Sequence, residues 1–181
     1  MSSRYNNLRY FFIEDFTDFK MEEVAQYILD KHKENELLKL ALMPDKKLSS
    51  RAIWALSHCA DLSYERVIPF HTTLINHLKQ DDLHDGVKRG ILRLFQEYPI
   101  PKKHETFMLD LCFSYLNNPS EPIAIRMFSM VIVFNISKAY PELLNELELT
   151  LHQVLQTETS PGILSRTKKI VYEINGIKKA A

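Results

Sequence analysis

Glycine is scarce in this chain: only Gly86, Gly90, Gly162 and Gly176 occur in 181 residues, against a usual share of roughly 7%. Sheet-rich folds with many tight turns draw on glycine, as do the loops that cradle phosphates, so both are disfavoured. Cysteine is nearly absent as well. Cys59 and Cys112 are too few and too far apart for a disulfide framework or a zinc site, and each reads as a small buried hydrophobe. Neither sign of charge dominates, because 23 Lys and Arg balance 23 Asp and Glu. Net charge therefore points to no nucleic-acid or membrane partner. Long hydrophobic runs are missing too. The longest near-apolar stretch, Met127 to Phe134, falls far short of the ~20 residues that span a bilayer. The first residues, Met1 to Leu8, carry no apolar core and no small-residue cleavage site. A cytoplasmic protein without membrane attachment is the expectation.

What the chain has is helical periodicity. Val87, Gly90, Ile91, Leu94, Phe95 and Tyr98 follow the i, i+3, i+4, i+7 spacing of one helical face. Leu143, Leu144, Leu147, Leu151, Val154 and Leu155 do the same. Pro101, Pro122, Pro141 and Pro161 mark helix starts, where a fixed φ and a missing N–H do no harm. Short polar breaks such as Gln80-Asp81-Asp82 and Thr157-Glu158-Thr159 separate the runs. This spacing predicts a leading helix near 18–31, followed by pairs at 33–42 with 48–60 and 64–79 with 85–98. Two further pairs are expected at 101–117 with 122–138 and 141–155 with 161–176. Pro69 should kink the 64–79 helix or restart it. Residues 127–136 are apolar nearly all round, which predicts the most buried helix, with Phe128 in the core.

The second members of these pairs align on Arg51, Arg89, Arg126 and Arg166, at spacings of 38, 37 and 40 residues. Leu37-Leu38, Leu40 and Leu42 lead through Pro44-Asp45 to Arg51-Ala52-Ile53-Trp54-Ala55-Leu56. That unit resembles a HEAT/armadillo-type repeat: a leucine-rich helix, a Pro-Asp turn, then an Arg opening a second helix of small and apolar residues. Leu116-Asn117-Asn118-Pro119 before Arg126 echoes it. The period fits the two-helix repeats of that family. The later turns depart from the pattern, since Asp stands at the aligned position only as Asp45. Lys168 and Lys169 stand where apolar residues are usual, which suits a terminal capping repeat. The resemblance implies an all-α fold, a right-handed α-solenoid of about four HEAT-like helix pairs. An aromatic-rich capping segment at 1–32 would precede an array at 33–181, forming a single domain overall.

Catalytic patterns are missing. The sequence has no Gly-x-Ser-x-Gly elbow, no His-Glu-x-x-His and no glycine-rich phosphate loop. His77, Asp81, Asp82, His84 and Asp85 gather at one turn. Capping and helix-dipole preferences put such residues at a helix start without any metal. We therefore expect no enzyme, no cofactor and no metal site. Trp54, the sole tryptophan, is either packed against the aromatic leader or exposed as an anchor for a ligand.

Charge is segregated rather than absent. The second helices carry Arg51, Lys88, Arg89, Arg93, Arg126, Lys138, Arg166, Lys168 and Lys169 against Asp85, Glu97 and Glu173. In proteins resembling this family the second helices line a concave face, which would here be mildly basic. The aligned arginines either tie one repeat to the next or bind a ligand. Positions four and eight residues after each Arg read Ala55, Arg93, Met130, Ile170 and Cys59, Glu97, Phe134, Ile174. This row turns from polar to apolar, and an apolar row facing solvent marks an interface. The expected function is a protein-interaction scaffold with Arg51, His58, Arg89, Arg93, Met130, Phe134 and Ile170 as partner-binding residues. The partner would be a protein or peptide, acidic and partly hydrophobic, or a second copy of the chain. The alternative is binding to a nucleic-acid backbone, which needs a longer track of free basic groups.

Overall fold

Polar caps and prolines set the helix boundaries in the computed structural model, which describes residues 3–180. The chain divides into two compact units, Met1–Leu94 and Phe95–Ala181. Among the described residues there is no strand.

The first unit opens with a short 3-10 turn at Ser3–Tyr5 and then α1 (Leu8–Glu14), α2 (Met21–Asp30), α3 (Glu34–Ala41) and α4 (Lys46–Leu62). The Asn7 side chain accepts the Tyr10 N–H and caps α1. Asp45 accepts the Leu48 N–H at 2.9 Å and caps α4, which is the role its place in the Pro-Asp turn suggests. The scarcity of glycine is visible at the end of α2. His32 takes a left-handed φ of 53° there, and the Lys33 N–H returns to the Ile28 carbonyl. Glycine is the usual residue in that cap. Helix α4 is the hub of this unit, packed on α1, α2 and α3. Its inner side is lined by small residues, Ser49, Ala52, Ala55, Ser57 and Ala60, which admit three neighbours at once.

Pro69 restarts the chain rather than kinking a long helix. Turns at Tyr64–Arg66 and Ile68–Phe70 lead into the shorter α5 (His71–His77). Helix α6 (Asp85–Glu97) follows, and its glycines face α4. A Cβ on Gly86 would lie 2.7 Å from Ser50 Cβ, and one on Gly90 would lie 2.6 Å from Ile53 Cγ2. The two helices meet with no room for a methyl group. Gly90→Ala should therefore lower the denaturation midpoint, because overpacking of about 1–3 kcal/mol outweighs the helix-propensity gain of up to about 1 kcal/mol. In an Ile53→Ala background the same change should stabilise. If Gly90→Ala stabilises with Ile53 intact, the close crossing is not real.

The second unit contains a turn at Lys102–His104, then α7 (Glu105–Asn117), α8 (Ile123–Ser137), α9 (Pro141–Thr157) and α10 (Pro161–Ala180). Pro141 and Pro161 stand at the first helical position, and Pro122 just before it. Helix α8 packs on α7, α9 and α10, and α9 packs on α10. Met130, Ile132, Val133, Phe134 and Ile136 of α8 are buried, whereas Met127, Phe128 and Val131 are only half-buried. The expectation that Phe128 is a core residue is corrected: it lies on the one side of α8 that no neighbouring helix covers completely. Within each unit successive helices pack on their neighbours, the arrangement of a HEAT-type helical fold.

Candidate protein-interaction site

The outer sides of α4 and α6 carry an exposed tryptophan and several arginines. On α4 the outward positions are Arg51, Trp54, His58 and Asp61, spaced three and four apart, so they form one ridge. On α6 they are Arg89 and Arg93.

Trp54 is packed against the aromatic leader and at the same time partly exposed. Its ring meets Phe16 and Phe19 edge-on, with centroids 6.1 and 6.4 Å away, yet the residue keeps 39% of its surface in solvent. His58 packs on its other side at 5.8 Å. Phe16 and Phe19 are themselves seated on the buried ring of Phe11, at 5.6 and 5.5 Å. The leader thus supplies a stack that runs from the core to the indole.

The arginines differ in their duties. Arg51 donates through Nη1 to the Phe12 carbonyl at 2.6 Å and lies 4.2 Å over the Phe16 ring, so it fixes the leader to α4. Arg93 donates through Nη2 to Asp61 Oδ2 at 2.7 Å, linking α6 to α4. Asp61 also stands 3.5 Å from His58 Nδ1. Arg89 is exposed and has no ion pair or hydrogen bond among the described residues.

The apolar half of the expected surface is not a surface. Met130, Phe134 and Ile170 keep 0%, 3% and 3% of their area in solvent, so these three anchors belong to the core of the second unit. The reason lies in helix phase. Four residues advance a helix by about 40° beyond a full turn. Arg126 is itself buried and Arg166 half-buried, so the residues four and eight later point at neighbouring helices. Arg89 sits farther out, and Arg93 and Glu97 stay outside with it. Ala55 and Cys59 are buried in the same way in α4. The aligned arginines share a sequence register but no common face.

At the polar turn before α6, His84 Nδ1 lies 3.1 Å from the Gly86 N–H, which it accepts, and 2.9 Å from Ser50 Oγ. The imidazole there serves as a cap. Among the described residues no group of three or more His, Cys, Asp or Glu could hold a metal ion. Burial pushes the Cys59 and Cys112 thiols up to about 12, far from the thiolate form that reacts.

Burial also lowers the imidazole pKa of His58, His71 and His77; for His58 the nearby Arg93 guanidinium adds to the effect. The unfolded chain binds these protons more readily, so stability is whole above about pH 6.5 and falls as pH drops toward the lowered folded values. Paired carboxylates such as Glu158, held low by Arg126, respond only below about pH 4.5. The denaturation midpoint should fall between roughly pH 7 and 5, and His58→Gln with His77→Gln should flatten that slope. A midpoint constant across this range overturns the assignment.

The profile of the HEAT repeat domain family covers residues 12–174. The chain belongs to that family, whose repeats generally mediate protein–protein interaction and whose members are typically non-catalytic scaffolds. No curated protein and no solved structure matches the chain. Among the described residues no helix is long and apolar enough to cross a membrane.

Sequence reasoning missed Asp61, the shared partner of His58 and Arg93, and missed how Phe16 and Phe19 buttress Trp54. A signal was present for the first. Arg93 and Asp61 are 32 residues apart, close to one repeat length, so the acceptor stands on the preceding second helix.

Proposed function

We propose that the chain is a protein-interaction module that binds an acidic peptide segment of a partner protein across the outer side of α4 and α6. The indole of Trp54 takes an apolar side chain of the segment. Arg89 meets its carboxylates. Trp54 carries this reading: a chain with one tryptophan props it on two phenylalanines and leaves 39% of it in water. Interface energy concentrates on such rigid aromatic anchors flanked by arginine. Charge complementarity favours an acidic partner, because Arg89 has no counter-ion among the described residues and Lys47 is spent on the Ile13 carbonyl rather than on an acid.

The nucleic-acid reading loses support from the same contacts. Arg51, Arg93 and Arg126 are committed to Phe12, Asp61 and Glu158, which takes three of the expected cations away from a phosphate backbone.

The test uses the tryptophan as its own reporter. Selection from a random peptide library on the folded protein should enrich acidic sequences that contain an aromatic residue or leucine. Their binding should change Trp54 fluorescence. Trp54→Ala and Arg89→Glu should each weaken binding more than tenfold while leaving the far-ultraviolet circular dichroism intact. Enrichment of basic sequences, or binding indifferent to Trp54→Ala, sinks the proposal. Self-association that Trp54→Ala abolishes would instead assign the face to a second copy of the chain.

A further inference from the structure

The second unit contains a cavity of about 500 Å³ between α7, α8 and α9, lined by Leu116, Pro119, Arg126 and Glu158 together with neutral polar side chains. At its wall stands Arg126, whose side chain is nine-tenths buried. Nε donates to the Leu116 carbonyl at 3.3 Å, and Nη1 to Glu158 Oε2. A guanidinium has five N–H donors. These bonds use two, and no other partner of the Arg126 side chain occurs among the described residues. Glu158 is held from behind, since its Oε1 accepts the N–H of Thr159 at 3.0 Å and of Ser160 at 3.3 Å. The guanidinium is thus fixed in orientation while part of its hydrogen-bonding capacity stays unspent.

A purely structural ion pair needs no room around it. This one borders a space of ligand-binding size, and Asn117, Thr150, Gln153 and Thr157 border it too. We propose that this cavity binds a carboxylate group, which the free side of the Arg126 guanidinium receives and the amides and hydroxyls around it complete. A planar two-oxygen acceptor matches the fork geometry of arginine. A phosphate, which carries up to two negative charges, fits less well than a singly charged carboxylate, because the lining holds one cation and Glu158 shares it. This site has no residue in common with the Trp54 face and stands or falls independently of it.

The experiment is an amide-resolved NMR titration of the whole chain with N-acetylglutamate and, separately, with its neutral counterpart N-acetylglutamine. N-acetylglutamate should give saturable shifts centred on Thr150, Gln153 and Glu158. N-acetylglutamine should give none. Arg126→Lys should weaken binding at least tenfold, because the fork is lost. Should that variant fold poorly, Thr150→Val combined with Gln153→Leu alters only side chains at the mouth and should weaken binding about tenfold. A blocked Ala-Glu-Ala peptide forms a third arm. Tighter binding of the peptide assigns the carboxylate to an acidic side chain of a polypeptide, and tighter binding of N-acetylglutamate assigns it to a small free acid. Equal shifts from the charged and neutral probes, no saturation, affinity unchanged in the variants, or tighter binding of inorganic phosphate each overturn the proposal.

Discussion

Phe11→Ala is expected to lower the free energy of unfolding by about 3–5 kcal/mol, a large part of the 5–15 kcal/mol typical of a domain. Phe11 is fully buried on α1. Its ring meets Tyr5 at 4.9 Å, Phe12 at 5.2 Å, and Phe16 and Phe19 at 5.6 and 5.5 Å. Removing it opens a cavity on which several rings converge, and none of them can fill it without leaving its other partners. The damage should also reach the candidate site. Phe16 and Phe19 hold the Trp54 indole, so losing their seat should broaden and red-shift Trp54 emission even in protein that remains folded. The measurements are a urea titration and an emission spectrum below the transition. A loss under about 1 kcal/mol with unchanged emission would show that the leader is an ornament on α4 rather than part of its core.

Helix starts were legible because their chemistry is local. Asp45, Pro141 and Pro161 act within one turn of themselves; the two prolines open their helices where the sequence places them, and Asp45 opens α4 at Lys46, two residues before the expected 48. Pro69 was legible in part: it rules out an uninterrupted helix, but only packing decides that α5 begins at His71. Helix α1 was not foreseen as an element, since seven residues rich in aromatics give too short a window for a helical period. The interactions that define the site lie one repeat away. Arg51 reaches Phe12 across 39 residues, and Arg93 and Arg126 reach Asp61 and Glu158 across 32. No single-helix pattern contains such pairs, though the repeat length indicates where to look. Helix phase was the point of failure. Aligning Arg89 with Arg126 equates an exposed residue with a buried one, and the three anchors placed by that register, Met130, Phe134 and Ile170, lie in the core.

That error has a direct experimental consequence at Phe134. As an interface anchor it would tolerate Glu and lose only a partner; as a core residue it should not. Its ring is 97% removed from water, with the Lys138 ammonium 4.3 Å from its centroid. Phe134→Glu forfeits the burial of a large ring, worth about 3–5 kcal/mol, and places a carboxylate where desolvation costs several kcal/mol more. Lys138, one turn on, can recover a fraction of this by pairing with the new charge, so the variant is expected to be grossly destabilised rather than merely weakened. It should accumulate as insoluble protein or lack a cooperative transition. Phe134→Leu, which keeps the position apolar, should stay folded with a smaller loss. Leu149→Glu, on the exposed side of α9 with 73% of the residue in solvent, should be nearly neutral and serves as the control for charge alone. If Phe134→Glu is soluble and unfolds at the native midpoint, the phase assigned to α8 is wrong and the apolar row with Met130 belongs on the outside.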